Sequence, residues 1–472
     1  MAKTDDADRW LSEITLAAMF AMLRDNGVTE VLYKILPCNA NSKNQVYLAS
    51  DFSQLGKIPS GEVTLHVSTS QKNGDQEAVF RSTLDFYWLG QNGSPCPAPK
   101  AKLIFYPQYP EVRFSGFLQG SKYAPSSLWD KEKRGGEPDR ILVLGLGNGR
   151  KIFGVTLPPE SPAAKEIRAG KQHEAYGVLG ILPMQETENG FSDLMHELCK
   201  IHRRCWVPST RLDPNGKLIP SKGSNGIGNT LESLLKIKSN GFSKPDFRGW
   251  EVKARKVSNL DKPGTSKVTL FTPEPNAGLY VEKGVVAFIR CYGYSDTKER
   301  EDRRNFGGVY RANAAAHKKT GLRLALDGFD FETSKFTPTG SVQLLDNKDK
   351  VAAAWSFAKL MDHWKTKHAH AAFVPSEVRM ENGQRQYHYG RNVLLGEGAE
   401  FRLLLKAFHE GKVYYDPGIN VKGILTGQPK AHRRSQFRAS SRDLPALYVS
   451  SRIVDVCEES ARGEGGFGSS GR

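Results

Sequence analysis

Apolar residues recur at helical spacing near the start of the chain, where Trp10, Leu11, Ile14, Ala18 and Leu23 predict an amphipathic helix over residues 7–26. Gly27 stands where a helix C-cap is expected. From Val28 to about Val155 the pattern changes to short runs of β-branched and aromatic residues. Glu30–Leu36, Gln45–Leu48, Val63–Val67, Lys102–Tyr106 and Arg140–Leu144 are punctuated by Gly, Pro, Asn and Ser. That rhythm predicts an all-β barrel or sandwich. Residues 156–190 carry Pro158, Pro159, Pro162 and several glycines, which places a domain boundary near 180–190. Helical spacing returns at Ser192–Ile201, Leu231–Ile237, Trp355–Trp364 and Glu400–His409, with strands expected at Trp250–Ala254 and Val268–Thr272. The second half therefore reads as α+β. The Gly- and Ser-rich end reads as disordered. The expected division is a domain over 1–185, a second over 190–455, and a flexible tail over 456–472.

A length of 472 residues agrees with two domains. No apolar run reaches the roughly 18 residues of a membrane span, and the charged start lacks a secretory h-region. Six irregularly spaced cysteines do not make a disulfide framework, so a reduced, cytoplasmic protein is expected. The net charge of +16 changes the picture more. A field of that size attracts polyanions, and nucleic acid is the commonest of these.

The most informative segment is Asn225–Lys253, NGIGNTLESLLKIKSNGFSKPDFRGWEVK. Phosphodiester hydrolysis needs a metal to neutralise charge and activate water. Magnesium prefers hard oxygen ligands. Asp246 and Glu251, with the ammonium of Lys253, make a minimal set. On a strand, Glu251 and Lys253 project from one face while Val252 faces the other. Asp246 approaches through the Phe247–Gly249 turn. Glu232 is expected on the first turn of a helix that follows Gly226-Ile227-Gly228. By itself, acid-x(n)-Glu-x-Lys also describes a solvated strand bearing a surface ion pair.

Two histidine patterns have bland alternatives. His368 and His370 would share a strand face and could bind a metal, or be ordinary polar positions. His196, Cys199, His202 and Cys205 recur every three residues and suggest zinc. Three-residue steps drift about 60° round a helix, so the four cannot converge on one ion from an unbroken helix.

Taken together, the segment resembles the MvaI/BcnI family of restriction endonucleases and, more distantly, the mismatch-repair nickase MutH. The resemblance rests on Gly226–Gly228, Thr230–Leu235, Pro245-Asp246-Phe247 and Glu251-Val252-Lys253, with Val268–Thr272 as a further strand. It spans roughly residues 190–450. It implies a restriction-endonuclease-like (PD-(D/E)xK) fold and double-stranded DNA as substrate. Asp246 and Glu251 are implied as magnesium ligands, with the Val252 carbonyl a possible third. Lys253 would act as base or electrostatic stabiliser, and Glu232 would orient the site. His432-Arg433-Arg434 followed by Phe437-Arg438, within Asp416–Arg438, resembles the family's DNA-reading loop, with Arg433 where relatives carry Asp. His432 and Arg434 are the expected base readers, with Arg433 on phosphate and Asp416 and Arg438 beside them. A basic loop that grips phosphate alone is the alternative.

The first domain carries two polar arms, around Lys34, Asn39, Asn41, Lys43 and Gln45, and around Trp88, Gln91 and Asn92. Through Lys34, Asn39, Gln45, Trp88, Gly93, Ser94 and Pro95 they resemble the DNA-gripping arms of the EcoRII N-terminal effector domain, a DNA-binding pseudobarrel. The two-part layout then implies an effector-stimulated type II enzyme that binds two copies of its site, one per domain. A monomer, a CCWGG-like site (CCSGG second) and a host DNA methyltransferase are implied with it. The rivals are a MutH-like nickase and a non-catalytic, sequence-specific DNA-binding protein.

Overall fold

The structure, a computed structural model, describes residues 6–37, 45–67, 78–130, 139–170, 175–184, 190–213, 215–221, 223, 225–237, 247, 249–261, 265–296, 302–365 and 370–464. The chain forms two compact units, Met1–Glu188 and Asn189–Arg472. No helix among the described residues is long and apolar enough to cross a membrane.

The first unit is built from two sheets. Val28–Leu36, Arg140–Gly147 and Lys151–Leu157 run side by side in a seven-stranded sheet. Arg140–Gly147 is buried along its whole length, as expected of a central strand reading ILVLGLG. The second sheet has five strands in the order Gln45–Ala49, Glu111–Ser115, Lys102–Tyr106, Ala78–Thr83 and Thr64–Val67. Its inner face packs Phe80, Phe105, Phe114 and Leu103 into the core.

Two expectations for this unit are corrected, the single first helix and the exposure of Trp88. The predicted helix over 7–26 is two pieces, a 3-10 turn at Asp6–Ser12 and an α-helix at Leu16–Asp25. Thr15 causes the break, because its side chain caps the second piece by accepting from the Ala18 N–H at 3.2 Å. The Pro-rich stretch after 156 is folded, since Ser161 caps a helix at Pro162–Ala169. Beyond it, Leu179–Leu182 pairs back onto Val28–Leu36. Trp88, expected on a DNA-gripping arm, is 1% exposed. Its Nε1 donates to the Phe117 carbonyl at 2.6 Å, and its ring meets Phe86 edge-on. Trp88→Ala should therefore cost about 3–5 kcal/mol of stability with DNA affinity unchanged for the molecules that fold. Urea unfolding and DNA titration read the two effects separately.

In the second unit, His370–Glu381 is the spine of a mixed six-stranded sheet. It pairs antiparallel with Asn392–Ala399 and Gln384–Tyr389, and parallel with Glu251–Lys256. Helix Gly190–Arg203 lays Leu194, Leu198 and Ile201 on a core shared with Leu231, Trp250, Val252, Val374 and Leu395. The helix expected at Trp355–Trp364 begins later. Strand Val351–Ser356 precedes helix Phe357–Lys365, and Ser356 Oγ accepts from the Lys359 N–H at 3.3 Å to start it. Trp355, on the strand, is buried and donates through Nε1 to the Pro273 carbonyl at 3.0 Å.

The chain end differs from expectation in two ways. The expected tail begins with a helix, Val456–Glu464. A disulfide between Cys199 and Cys457 ties that helix to Gly190–Arg203, where the sequence suggested only reduced cysteines. Their 258-residue separation leaves no spacing signal to read.

Candidate active site

Alternation along strand Glu251–Lys256 turns Glu251, Lys253 and Arg255 to one face and sends Val252 into the core. The Lys253 ammonium donates to Glu251 Oε1 at 2.6 Å. Glu251 is 2% exposed, and its Oε2 has no hydrogen-bond partner among the described residues. An unmet buried acceptor costs on the order of 1–3 kcal/mol, and more when charged. Tyr448 lies close by. Burial holds its phenol well above the ordinary pKa, and the Glu251 carboxylate acts in the same direction.

The strand enters through a tight reversal. Phe247 and Trp250 exchange backbone hydrogen bonds at 2.9 and 2.8 Å, and Gly249 supplies the required positive φ of 92°. Asp246 immediately precedes that reversal in sequence and lies outside the described residues, as does His368. His370 opens its strand, and its ring stacks on Trp250 at 5.2 Å between centroids. Among the described residues, no group of three or more His, Cys, Asp or Glu side chains is placed to hold a metal.

Glu232 stands in the second turn of helix Gly226–Leu234, not the first, because Gly226-Ile227-Gly228 is itself the opening turn. Thr230 anchors this helix by exchanging hydrogen bonds with the Thr210 backbone at 3.0 and 3.1 Å. The Tyr389 hydroxyl donates to the Ile227 carbonyl at 2.7 Å. Burial holds the Tyr389 phenol well above its usual pKa, with Tyr387 and Glu232 raising it further.

The four evenly spaced metal candidates disperse. His196 bonds Ser460 at 3.1 Å, and Cys199 is in the disulfide. His202 contacts the Tyr389 carbonyl at 2.8 Å, and Cys205 is exposed and free.

The expected DNA-reading segment is a hairpin of Gly418–Lys422 and Lys430–His432, with His432 opposite Asn420. His432, Arg433 and Arg434 are all exposed. Asp416 and Arg438 are joined to each other at 3.0 Å, so they brace the base of the segment. In the first unit, Asn39, Asn41 and Lys43 lie outside the described residues. Lys34 Nζ sits over the Tyr47 ring at 5.6 Å, and Gln45 Oε1 accepts from Arg113 at 2.9 Å. Gln91 and Asn92 are exposed. Asn92 Oδ1 accepts the Ser94 N–H at 3.1 Å and so shapes its turn. Sequence reasoning passed over Arg255. The alternation that paired Glu251 with Lys253 also reaches it, two residues further on.

A mixed sheet that carries a buried carboxylate against a lysine, in a unit that also carries an exposed basic hairpin, is an architecture suited to an enzyme acting on a phosphodiester. The chain belongs to the MvaI/BcnI restriction endonuclease family, whose model matches residues 195–448, just over half the chain. The protein is accordingly a site-specific nuclease with a restriction-endonuclease-like second unit. No curated protein matches it. Among solved structures, it is similar to the restriction endonuclease MvaI in complex with its cognate DNA substrate, at 19% identity and a TM-score of 0.43. It is also similar to MvaI without DNA, at 19% identity and a TM-score of 0.34. Each match covers 57% of this chain and 99% of the other.

Proposed function

We propose that this chain is a type II restriction endonuclease that hydrolyses double-stranded DNA with magnesium at a short CCWGG-like site. The observation that carries the reading is Glu251, a buried carboxylate with one oxygen on Lys253 and the other unmet among the described residues. That oxygen fits a hard cation. Glu251 would hold the ion, together with Asp246. Bound there, magnesium supplies charge neutralisation and Lewis acidity.

The chain's own groups do the rest. The Lys253 ammonium orients the Glu251 carboxylate and offers its remaining protons to the oxygens that gain charge as the phosphodiester is attacked. Glu232 orients the site from the neighbouring helix. His432 and Arg434 reach base edges, and Arg433 takes phosphate. The first unit binds a second copy of the site and raises the local concentration of DNA at the nuclease. The protein acts as a monomer, and a methyltransferase in the same cell protects the host's own sites.

Digestion of a plasmid of known sequence, with magnesium and then with a chelator, followed by end-mapping, tests the reading. Magnesium-dependent double-strand breaks at one sequence are expected. Nicks alone would favour the MutH-like alternative, and intact but retained plasmid a non-catalytic binder. Arg434→Ala should relax discrimination at one base position by about 1–3 kcal/mol. Equal weakening at every sequence would reduce Arg434 to a phosphate contact.

A further inference from the structure

The five-stranded sheet of the first unit has a second face that no part of the nuclease chemistry uses. Its register is fixed. Tyr47 lies opposite Arg113, Arg113 opposite Ile104, and Ile104 opposite Arg81. One row on, Gln45, Ser115, Lys102 and Thr83 stand in line. Residues two apart on a strand share a face, so Arg81, Lys102 and Arg113 stand on neighbouring strands of one surface. Lys34 reaches its edge over the exposed Tyr47 ring.

The balance of charge on this face is uneven. Glu111, facing the Tyr106 position, is taken by Arg113 at 2.5 Å. Among the described residues neither Arg81 nor Lys102 has an acidic partner, and Arg81 Nε is buried with no hydrogen-bond acceptor. The Lys102 ammonium is pushed below its ordinary pKa, first by burial and then by Arg81 and Lys100. Like charges on adjacent strands destabilise a sheet. A folded surface that nevertheless gathers them, with one guanidinium Nε that meets no acceptor among the described residues, is complementary to an anion extended across several strands. The opposite face is filled by Phe80, Phe105 and Phe114, so the cations cannot turn inward.

From this juxtaposition we infer that the outer face of the five-stranded sheet, centred on Arg81, Lys102 and Arg113, binds the phosphate backbone of duplex DNA. The inference rests on the reading that the chain acts on DNA. It adds a rigid sheet to the loops suggested by sequence as the first unit's grip on DNA. Gln45 belongs to this face, Lys34 reaches its edge from the seven-stranded sheet, and Trp88 does not belong to it. Backbone contacts of this kind hold DNA without regard to sequence, so the face supplies grip on the first unit's duplex and leaves the choice of site to base contacts elsewhere in that unit.

The test uses the full chain carrying Lys253→Ala, in chelator, with a labelled duplex that lacks any CCNGG sequence. Acylation footprinting should find Lys102 protected by the duplex. The double variant Arg81→Gln/Lys102→Gln should bind at least about tenfold more weakly at moderate salt, with the slope of log K against log salt shallower by about 2. Removing like charges relieves repulsion, so the variant's melting temperature should not fall, and a melting curve checks this. Equal acylation with and without duplex, together with unchanged affinity and slope, would overturn the inference. The outcome is separable from the nuclease reading. A plasmid left uncut by the parent enzyme, with Lys102 still protected, removes the nuclease mechanism alone. Site-specific cutting with Lys102 unprotected removes the sheet face alone.

Discussion

Lys253→Ala should abolish DNA cleavage while leaving DNA binding in place. The Lys253 ammonium sits 2.6 Å from Glu251 Oε1 on a strand whose opposite face is locked in the core. The strand therefore fixes the Lys253 backbone, and the bond to Glu251 holds its ammonium at the site. Removing one preorganised donor from a water-poor site costs on the order of 10²–10³ in rate. Loss of an adjacent metal position would add to that. Lys253→Arg should rescue poorly, because a planar fork cannot occupy the place of a compact ammonium. Single-turnover cleavage, with anisotropy binding in chelator, separates the two effects. Cleavage at the parental rate by the alanine variant would remove Lys253 from the mechanism. Loss of cleavage and binding together, with a collapsed melting transition, would assign it a structural role. Lys253→Met, which preserves the stem, then tells chemistry from folding.

The parts of this enzyme legible in its sequence are those set by short-range rules. The alternation of Glu251, Val252 and Lys253 fixes which side chains share a face once the segment is a strand, and the segment is one, Glu251–Lys256. The β-rich runs of the first unit form strands for the same reason, and Lys102–Tyr106 keeps its expected bounds. What escaped reading depends on distant partners. Gly226-Ile227-Gly228 looks like a loop by propensity, yet Tyr389 and Thr230 hold it as the first turn of a helix. Trp88 sits in a segment rich in Gly, Asn and Pro that suggests a surface arm, and only the Phe117 carbonyl and the Phe86 ring explain its burial. Asp416 and Arg438 look like two free DNA contacts until the fold joins them. The cation row on the five-stranded sheet was invisible for the same reason. Arg81, Lys102 and Arg113 are far apart in sequence, and register alone assembles them.

Glu251→Gln should produce the other large effect, and it reports on the metal without relying on turnover. Glutamine keeps an oxygen for Lys253 and removes the negative charge. The apo variant should therefore unfold within about 1 kcal/mol of the apo parent, since a lost charge-assisted bond offsets relief of a buried charge with an unmet oxygen. The parent should melt higher when magnesium is added, because an ion that binds only the folded state stabilises by roughly 2.7 kcal/mol at a hundredfold excess over its Kd. The variant should show little or none of that rise, and no cleavage. The sign is what decides. If the Glu251–Lys253 pair were structural only, the substitution would lower stability with and without magnesium by the same amount, and the ion's effect would survive. Thermal unfolding of both proteins across a magnesium titration makes the comparison, with calcium in parallel to show occupancy of the site where catalysis is absent. A variant that melts normally and still responds fully to magnesium would place the ion elsewhere in the chain.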